Sequence, residues 1–403
     1  MPETAPIRHL YVHIPFCSSR CAYCDFSSEP IGPHMRAGRV GEYVERLLAE
    51  LRERTASPMG GAPSAAGAAG LIETIYLGGG TPTVLPRPEL LALVTELAHR
   101  QTGAVDPEFT IEANPGTIDA RLLEELVEAG VTRVSLGVQS FAAGLRAALG
   151  RRTEQSDVEA ALRDLRVACT PARGGAPQAG AGPGLGEWNV DLVFGIPGQS
   201  WAAAAADIDT AVAAGPTHIS LYDLTYTPAF AARAERTAGA GARGAAGAFA
   251  EECLPAAAAR LEAAGYHRYE VSNFALPGHE CRHNLAYWRG EDYLGIGAAA
   301  VSTVGSERRT NPVAVADYLA GSAPSMEVVG SRIRLWEKAM LGLRTSEGVA
   351  EAEVAGVLDQ AALDRLVAQD CVRRGCGRLR LNPAFLDVSN TIISTLLASC
   401  EGS

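Results

Sequence analysis

Short apolar runs alternate with helical patterns throughout the first 230 residues of this 403-residue chain. Six of these runs are rich in β-branched residues and are mostly bounded by turn residues, which is typical of strands. They are LYVHI (10–14), IETIYL (72–77), FTIEA (109–113), RVSLGV (133–138), NVDLVFG (189–195) and HISLY (218–222). Strands separated by helices favour parallel pairing through right-handed crossovers. Because six strand–helix steps are too few for a closed eight-stranded barrel, we predict an α/β fold with a partial, open (βα)6 barrel of the TIM type.

Three Ala/Gly/Pro-rich stretches without apolar periodicity interrupt this pattern, at 57–70, 170–187 and 237–247. Such stretches bury too little apolar surface to order themselves, so we interpret them as insertions. The third stretch indicates the end of the first domain, and helical patterning returns near the C-terminus, as in LWEKAMLGL. The predicted organisation is a partial barrel over 1–235, a connecting segment over 236–330 and a smaller, mostly helical C-terminal domain over 331–403.

Charge and composition narrow the function classes. The formal charge of −11 and the pI near 5.3 argue against general nucleic-acid binding. The sequence contains no run of 18 apolar residues and starts with MPETAPIRHL, which lacks the pattern of a signal peptide. Nine cysteines is an odd count, and without a secretory signal a disulfide framework is not expected. We therefore expect a cytoplasmic protein.

Three cysteines follow the first predicted strand with the spacing C-x3-C-x2-C, at Cys17, Cys21 and Cys24. Structural zinc is one alternative, but it requires four protein ligands, and His13 lies in the strand itself. An electron-transfer ferredoxin-type site would use four cysteines at another spacing, and unliganded thiols are a third alternative. The interpretation that we favour is a 4Fe-4S cluster held by three cysteines, which leaves one iron open to a small molecule.

Polar and glycine-rich motifs follow several of the other predicted strands. LGGGTPT (77–83) follows the second strand, and glycines there allow a close approach of the backbone to a ligand, although a tight turn would need them too. The third and fourth strands end at Glu112 and Gln139, while Arg151 lies in LGRRT and Asp191 in NVDLVFG. Singly, each could be an ordinary surface or core residue. Together they indicate a ligand site at the carboxyl ends of the strands.

With Tyr23 just before the last cysteine, the motif resembles that of the radical S-adenosylmethionine (SAM) superfamily. The resemblance implies a barrel of the radical SAM type, in which SAM chelates the open iron and is cleaved to a 5′-deoxyadenosyl radical. It also implies a set of SAM-contacting residues in this chain. These are Tyr11, Tyr23, Gly79, Gly80, Thr81, Glu112, Gln139, Arg151 and Asp191.

Further strings resemble the oxygen-independent coproporphyrinogen III oxidase class over nearly the whole chain. They are YVHIPFC, GGGTPT, GVQSF, DLVFGIPGQ, YEVSNF and HNLAYW. The class contains dehydrogenases that decarboxylate two propionates of coproporphyrinogen III, and heme chaperones that deliver heme to apo-haemoproteins. The dehydrogenases carry a further cysteine two residues after the third, where this chain has Phe26. The resemblance therefore favours a heme chaperone and leaves the dehydrogenase as the alternative.

The HNLAYW element (283–288) matches a motif associated with the chaperones. The resemblance implies that His283 contributes to heme binding, with Tyr287 and Trp288 against the porphyrin, because imidazole is a strong iron ligand. The ordinary alternative is a histidine that caps a turn beside core aromatics. Cys281 offers a thiolate that could also bind heme iron.

Three positions depart from residues that are usual in the relatives: Thr153, Thr227 and Val301. They put the porphyrin pocket in question, and a paralogue with another substrate is a further alternative. The partners expected from the resemblance are heme, apo-haemoprotein recipients that include membrane-bound respiratory enzymes, and an electron donor, with no nucleic acid.

Overall fold

The computed structural model describes residues 6–56, 71–169, 185–238 and 241–397. The predicted insertions at 57–70 and 170–187 lie wholly or almost wholly outside these residues. The interpretation of 237–247 as an unordered insertion is wrong, because most of that stretch lies in helices. Strands and helices alternate over the first part of the chain as the sequence predicts. The strands are β1 (His9–Ile14), β2 (Phe16–Cys17), β3 (Glu29–Pro30), β4 (Thr74–Gly79), β5 (Glu108–Ala113), β6 (Arg133–Gln139), β7 (Glu187–Phe194) and β8 (His218–Asp223). The helices are α1 (Ile31–Arg36), α2 (Arg39–Ala56), α3 (Arg87–Ala98), α4 (Ala120–Glu128), α5 (Ala143–Ala148), α6 (Gln155–Ala168), α7 (Trp201–Ala214) and α8 (Pro228–Ala238).

Local sequence signals set several helix ends. α4 begins where the Asp119 carboxylate accepts a hydrogen bond from the backbone N–H of Leu122 at 2.7 Å. α7 begins in the same way at Ser200 and ends at Gly215, whose φ of +77° few other residues adopt readily. These caps lie in the crossovers, so the chain turns back to the next strand at defined points.

The segment from 242 to 328 adds elements to both edges of the sheet. Its helices are α9 (Ala242–Ala263), α10 (Arg282–Trp288) and α11 (Val315–Leu319). Its strands are β9 (His267–Arg268), β10 (Asn273–Ala275), β11 (Tyr293–Ile296), β12 (Val301–Val304), β13 (Glu307–Thr310) and β14 (Ser325–Val328). The resulting twelve-stranded sheet has the order β14-β13-β12-β11-β1-β4-β5-β6-β7-β8-β10-β9.

The middle of the sheet is the partial barrel that the sequence predicts. All six predicted strands are present, and β1, β4, β5, β6, β7 and β8 are parallel neighbours. A seventh parallel strand, β11, pairs with the free edge of β1 and was not predicted. Within the described residues β11 does not pair with β8, so the barrel stays open and the predicted fold class is confirmed.

Polar side chains occupy every second position along the barrel strands. β1, for example, alternates buried Leu10, Val12 and Ile14 with His9, Tyr11 and His13. Successive side chains of a strand point to opposite faces. The apolar set belongs to the main hydrophobic core with the surrounding helices, whereas the polar set forms hydrogen bonds between strands inside the barrel. The barrel interior is therefore a polar network.

The last part of the chain has a hydrophobic core of its own, formed mainly by residues 335–397. It contains α12 (Ser331–Gly342), α13 (Glu351–Val354), α14 (Gln360–Ala368) and α15 (Ser389–Leu397) with a small antiparallel sheet of β15 (Val349–Ala350), β17 (Arg378–Leu381) and β16 (Val372–Gly375). The helices were predicted and this sheet was not. The domain boundaries at 235 and 330 stay predictions, although the segment predicted to connect the domains supplies edge strands of the barrel sheet.

Candidate functional site

A cavity of about 640 Å³ opens at the carboxyl ends of the barrel strands. Its wall contains the three cysteines of the C-x3-C-x2-C motif and eight of the predicted SAM contacts. These lining residues are Cys17, Cys21, Cys24, Tyr23, Gly79, Gly80, Thr81, Glu112, Gln139, Arg151 and Asp191. Residues far apart in sequence meet here because the carboxyl ends of parallel strands lie at one end of a barrel.

The cysteine loop is held on both sides by backbone hydrogen bonds. The carbonyl of Pro15 accepts from the N–H of Glu29 at 2.7 Å, and the N–H of Ala22 donates to the carbonyl of Leu149 at 3.1 Å. His13 supports the loop from below, since its Nε2 bonds the Ser27 carbonyl and its Nδ1 bonds the Tyr11 hydroxyl, both at 2.9 Å. Both ring nitrogens of His13 are thus engaged, so it is not a free fourth ligand for zinc.

The three thiols suit a cluster better than one metal ion. Cys17, Cys21 and Cys24 are free, and burial raises the pKa of the Cys17 and Cys21 thiols. Arg151 opposes that rise at Cys21, and the Thr81 hydroxyl donates to the Cys17 sulfur at 3.6 Å. Structural zinc takes four protein ligands, whereas the motif supplies three cysteines to the cavity wall. In a cubane cluster each cysteine binds a different iron, so three thiols on one cavity wall fit that group.

The glycine turn after β4 lies directly against the cysteine loop. The N–H of Gly80 donates to the carbonyl of Ile14 at 2.8 Å, and that of Thr81 donates to the carbonyl of Phe16 at 2.7 Å. A Cβ atom on Gly80 would overlap the Phe16 carbonyl oxygen, and Gly79 has a φ of +105°. Both glycines are therefore required for this close approach of two backbone segments, and they leave backbone exposed in the cavity wall.

Two half-buried carboxyl groups face the cavity. Glu112 accepts hydrogen bonds from the Tyr76 hydroxyl at 2.9 Å and from the Gly79 N–H at 3.0 Å. Burial, with a smaller contribution from Asp191, raises the pKa of Glu112 to about 7. Burial likewise raises the pKa of Asp191, which accepts from Asn189 at 2.7 Å. Carboxyl groups in such surroundings favour a cationic ligand, because a positive charge would offset the cost of ionisation.

Arg151 joins the strand ends through the polar residue Asn114. Its guanidinium donates to the Asn114 side-chain oxygen and, at 2.8 Å, to the carbonyl of Gly137. The Asn114 amide in turn donates to the Thr81 hydroxyl at 2.6 Å. Gln139 lies beside them at a bulge in β6, with a φ of +68° that is uncommon for a residue with a side chain. The backbone strain at Gln139 is consistent with a ligand-contacting position.

Tyr11 is placed next to the site without lining the cavity. Its ring stacks on that of Tyr76, with centroids 6.3 Å apart and an interplanar angle of 28°. Burial raises the pKa of the Tyr11 hydroxyl, which bonds His13. Tyr11 thus contacts a cavity residue, and a direct contact with SAM stays a prediction.

His283 lies at the opposite, amino-terminal end of the barrel strands. It is 1% exposed, and its Nδ1 bonds the hydroxyl of Thr74, the first residue of β4, at 2.8 Å. Burial lowers the pKa of His283 to about 3. The structure thus places His283 on the amino-terminal side of the cysteine cavity, with its ring centroid 5.3 Å from that of the cavity residue Tyr76. Heme ligation by His283 stays a prediction.

Sequence reasoning missed several residues of the site. Tyr76, Asn114 and Tyr222 all line the cavity. The signal for Tyr76 was the alternation of polar residues with apolar ones in the strands. Asn114 was visible only as part of a turn. Of the three departures from the relatives, Thr153 lines the cavity, whereas Val301 lies in β12, between β11 and β13.

Phe26, the residue in the position of the dehydrogenases' fourth cysteine, is 69% exposed at the edge of the cavity. It also lines a neighbouring cavity of about 850 Å³ between the cysteine loop and residues 312–323. No helix in the described ranges is long and apolar enough to cross a membrane.

Comparison with known proteins agrees with this geometry. The radical SAM superfamily model matches residues 11–174. The heme chaperone HemW of Synechocystis sp. is 34% identical, over 86% of this chain and 80% of its own. The chain belongs to the HemW family of radical SAM proteins. HemW of Escherichia coli is 36% identical over 73% of this chain and 70% of its own length. HemW of Mycobacterium tuberculosis H37Rv is 32% identical over 96% of this chain and 94% of its own length.

The fold has a counterpart among solved structures. Coproporphyrinogen III oxidase HemN from Escherichia coli superposes with a TM-score of 0.76 over 99% of this chain and 91% of HemN, at 21% identity. This likeness concerns the fold. Membership of the radical SAM superfamily confirms the prediction of a 4Fe-4S cluster and SAM as cofactors.

Proposed function

We propose that this protein is a heme chaperone, which binds heme and transfers it to apo-haemoproteins. The observation that carries the proposal is identity of 32–36% over most of the chain to proteins named heme chaperone HemW. Phe26 supports it, because the fourth cysteine of the dehydrogenases is replaced by an exposed aromatic side chain at the cavity edge. Heme is the cargo, and the cluster and SAM are resident cofactors.

We assign the cofactor contacts to the residues of the cavity. Cys17, Cys21 and Cys24 would hold the cluster, which with bound SAM supplies one-electron chemistry. Glu112 and Asp191 suit the positive charges of SAM, because both are half-buried carboxyl groups in the cavity wall whose pKa is raised. The remaining proposed contacts are Tyr11, Tyr23, Gly79, Gly80, Thr81, Gln139 and Arg151.

We further propose that heme is passed to recipients that include membrane-bound respiratory enzymes, and that a separate electron donor reduces the cluster in the cytoplasm. The formal net charge of the chain is −11. We also propose that the boundaries between the domains lie at residues 235 and 330.

One alternative has a specific observation in its favour. The superposition on HemN over 99% of the chain is what an oxygen-independent coproporphyrinogen III dehydrogenase would also show. In that reaction two propionates are oxidatively decarboxylated to vinyl groups. The two functions predict different products from the same protein.

The test uses the full chain after anaerobic reconstitution of the cluster, divided between two assays. The first adds heme, follows the Soret band, and then measures transfer to an apo-cytochrome. The second adds coproporphyrinogen III, SAM and a reductant, and measures protoporphyrinogen. Heme binding and transfer without protoporphyrinogen is the expected result. Protoporphyrinogen formation would establish the dehydrogenase, and failure of both assays would remove the tetrapyrrole function. Metal analysis of the same preparation separates iron and sulfide from zinc.

A further inference from the structure

We propose that His283 is a positioning residue of the SAM site, which acts from the base of the barrel by clamping Tyr76 so that Tyr76 aims Glu112 into the cofactor cavity. The inference rests on the proposed function in one respect, since it takes Glu112 as a SAM contact. It gives the HNLAYW element a role different from the direct heme ligation that the sequence suggests.

Helix α10 fixes His283 against the amino-terminal ends of the strands. The backbone N–H groups of Arg282 and His283 donate to the carboxylate of Glu108 at 2.9 and 2.8 Å. Glu108 is the first residue of β5, and the Cys281 thiol also donates to it at 3.5 Å. The N-cap residue of α10 and the first two residues of the helix thus hold one buried carboxylate. The helix is anchored where it closes the base of the barrel.

The orientation of the imidazole is set by a chain of hydrogen bonds. His283 Nδ1 bonds the Thr74 hydroxyl at 2.8 Å, and the same hydroxyl bonds His9 Nδ1 at 2.9 Å. His9 Nε2 in turn bonds the carboxylate of Glu291 at 2.9 Å. Because burial lowers the pKa of His283 to about 3, the ring is neutral at physiological pH. A neutral ring can stack on an aromatic neighbour without the cost of a buried charge.

Tyr76 stacks with two other rings. The His283 ring lies with its centroid 5.3 Å from that of Tyr76, at an interplanar angle of 29°. The Tyr11 ring lies 6.3 Å away at 28°. These two ring contacts restrict the position of the Tyr76 side chain. We call Tyr11, Tyr76 and His283 the ring stack.

The ring stack ends at the cofactor cavity. The Tyr76 hydroxyl donates to Glu112 Oε1 at 2.9 Å, and Glu112 Oε2 accepts from the Gly79 N–H at 3.0 Å. With both oxygens held, the carboxyl group has one orientation at the cavity wall. A change at His283 therefore reaches the cofactor cavity through one ring and one hydrogen bond.

Direct heme ligation does not suit this environment. Nε2, the ring atom that is free to bind iron, is buried and has no hydrogen-bond partner among the described residues. The rings of Tyr76 and Tyr287 lie 5.3 and 5.1 Å from the imidazole, and only 1% of His283 is exposed. A porphyrin is far wider than this space, so iron could reach Nε2 only if α10 left the barrel. The same two neighbours make His283 effective as a clamp.

Two substitutions separate the clamp from a heme ligand. His283→Phe keeps an aromatic ring against Tyr76 and removes every iron-binding atom. His283→Asn keeps a polar group near Thr74 and removes the ring. Arg289→Lys, at the end of the same helix, is the matched control because its side chain pairs with Glu347 at the surface and does not contact the rings. Each full-length protein is reconstituted with its cluster, and SAM affinity and heme affinity are measured by titration.

We expect His283→Asn to weaken SAM binding about tenfold, because loss of one aromatic partner releases Tyr76. His283→Phe should bind SAM within about threefold of wild type, and the control should be unchanged. The change that SAM causes in the EPR spectrum of the reduced cluster should be retained in His283→Phe and diminished in His283→Asn. Both variants should bind heme as wild type does.

The inference is overturned if His283→Asn binds SAM like wild type, or if His283→Phe loses heme binding while its SAM affinity is kept. Should His283→Asn fail to fold, Tyr76→Phe provides the decision, since it keeps all three rings and removes only the donor to Glu112. It should weaken SAM binding about tenfold, and wild-type affinity would refute the clamp. If wild type itself does not bind SAM, the proposed function fails instead.

Discussion

Glu112→Gln gives the sharpest test of the proposed cofactor site, because the Glu112 carboxyl group destabilises the fold and is proposed to contact SAM. Its pKa in the folded protein is about 7, raised from 4.5 chiefly by burial. A carboxyl group whose folded pKa lies above its unfolded pKa favours the protonated folded form, so it destabilises the fold as the pH rises. Glutamine is a neutral substitute of the same shape that can still accept from Tyr76.

The magnitude follows from the size of the pKa shift. Linkage gives a destabilisation by the carboxylate of about 3 kcal/mol at pH 8 and about 1 kcal/mol at pH 5. Glu112→Gln should therefore raise the free energy of unfolding of the cluster-free protein by these amounts, as measured by urea denaturation at the two pH values. Asp119→Asn is a control of opposite sign, since hydrogen bonding from the Leu122 N–H lowers the pKa of Asp119. It should lose stability at pH 8.

The same carboxyl group should make SAM binding depend on pH. If the cationic ligand binds the carboxylate form, its apparent affinity falls as Glu112 is protonated, by about tenfold between pH 8 and pH 6. Glu112→Gln should bind SAM weakly at both values and lose most of this dependence. Titration of the reconstituted protein with SAM measures both effects. A stability gain that does not grow with pH, or a wild-type affinity that is flat from pH 6 to 8, would refute the reasoning.

Three further predictions concern the cavity wall. Gly80→Ala should prevent assembly of the cluster loop, because the added Cβ would overlap a backbone carbonyl. Gly144→Ala is the control, since its Cβ would enter free space and should not affect cluster assembly. The iron content of each variant after reconstitution measures the difference. Cys24→Ala should abolish binding of the cluster and of SAM, while Cys169→Ala, outside the cavity, should leave both intact. Iron, sulfide and EPR analysis measure the effect, and a full cluster in Cys24→Ala would contradict the assignment. Phe26→Cys should fold normally, since Phe26 is 69% exposed. The variant should not gain coproporphyrinogen decarboxylation, and formation of protoporphyrinogen would show that this one cysteine separates the two activities.

Much of the fold was predictable because its signals are local. Each barrel strand is a short run with its own turn residues, and the order of strands and helices along the chain specifies parallel crossovers. β11 was missed because it is a four-residue strand whose place beside β1 depends on contacts across the whole molecule. The sheet β15-β17-β16 was missed because its strands are equally short.

The sequence by itself determined the cysteine loop and the end of the barrel that carries the site. Cys17, Cys21 and Cys24 lie within eight residues, so their convergence needs only a loop after β1. Tertiary structure decided which distant residues join them. Thr74 and His283 are 209 residues apart, and their contact exists only because α10 packs against the amino-terminal ends of the strands. A polar residue in a strand points into the barrel, but whether it meets the cofactor cavity or the base depends on its height along the strand and on the element that closes that end.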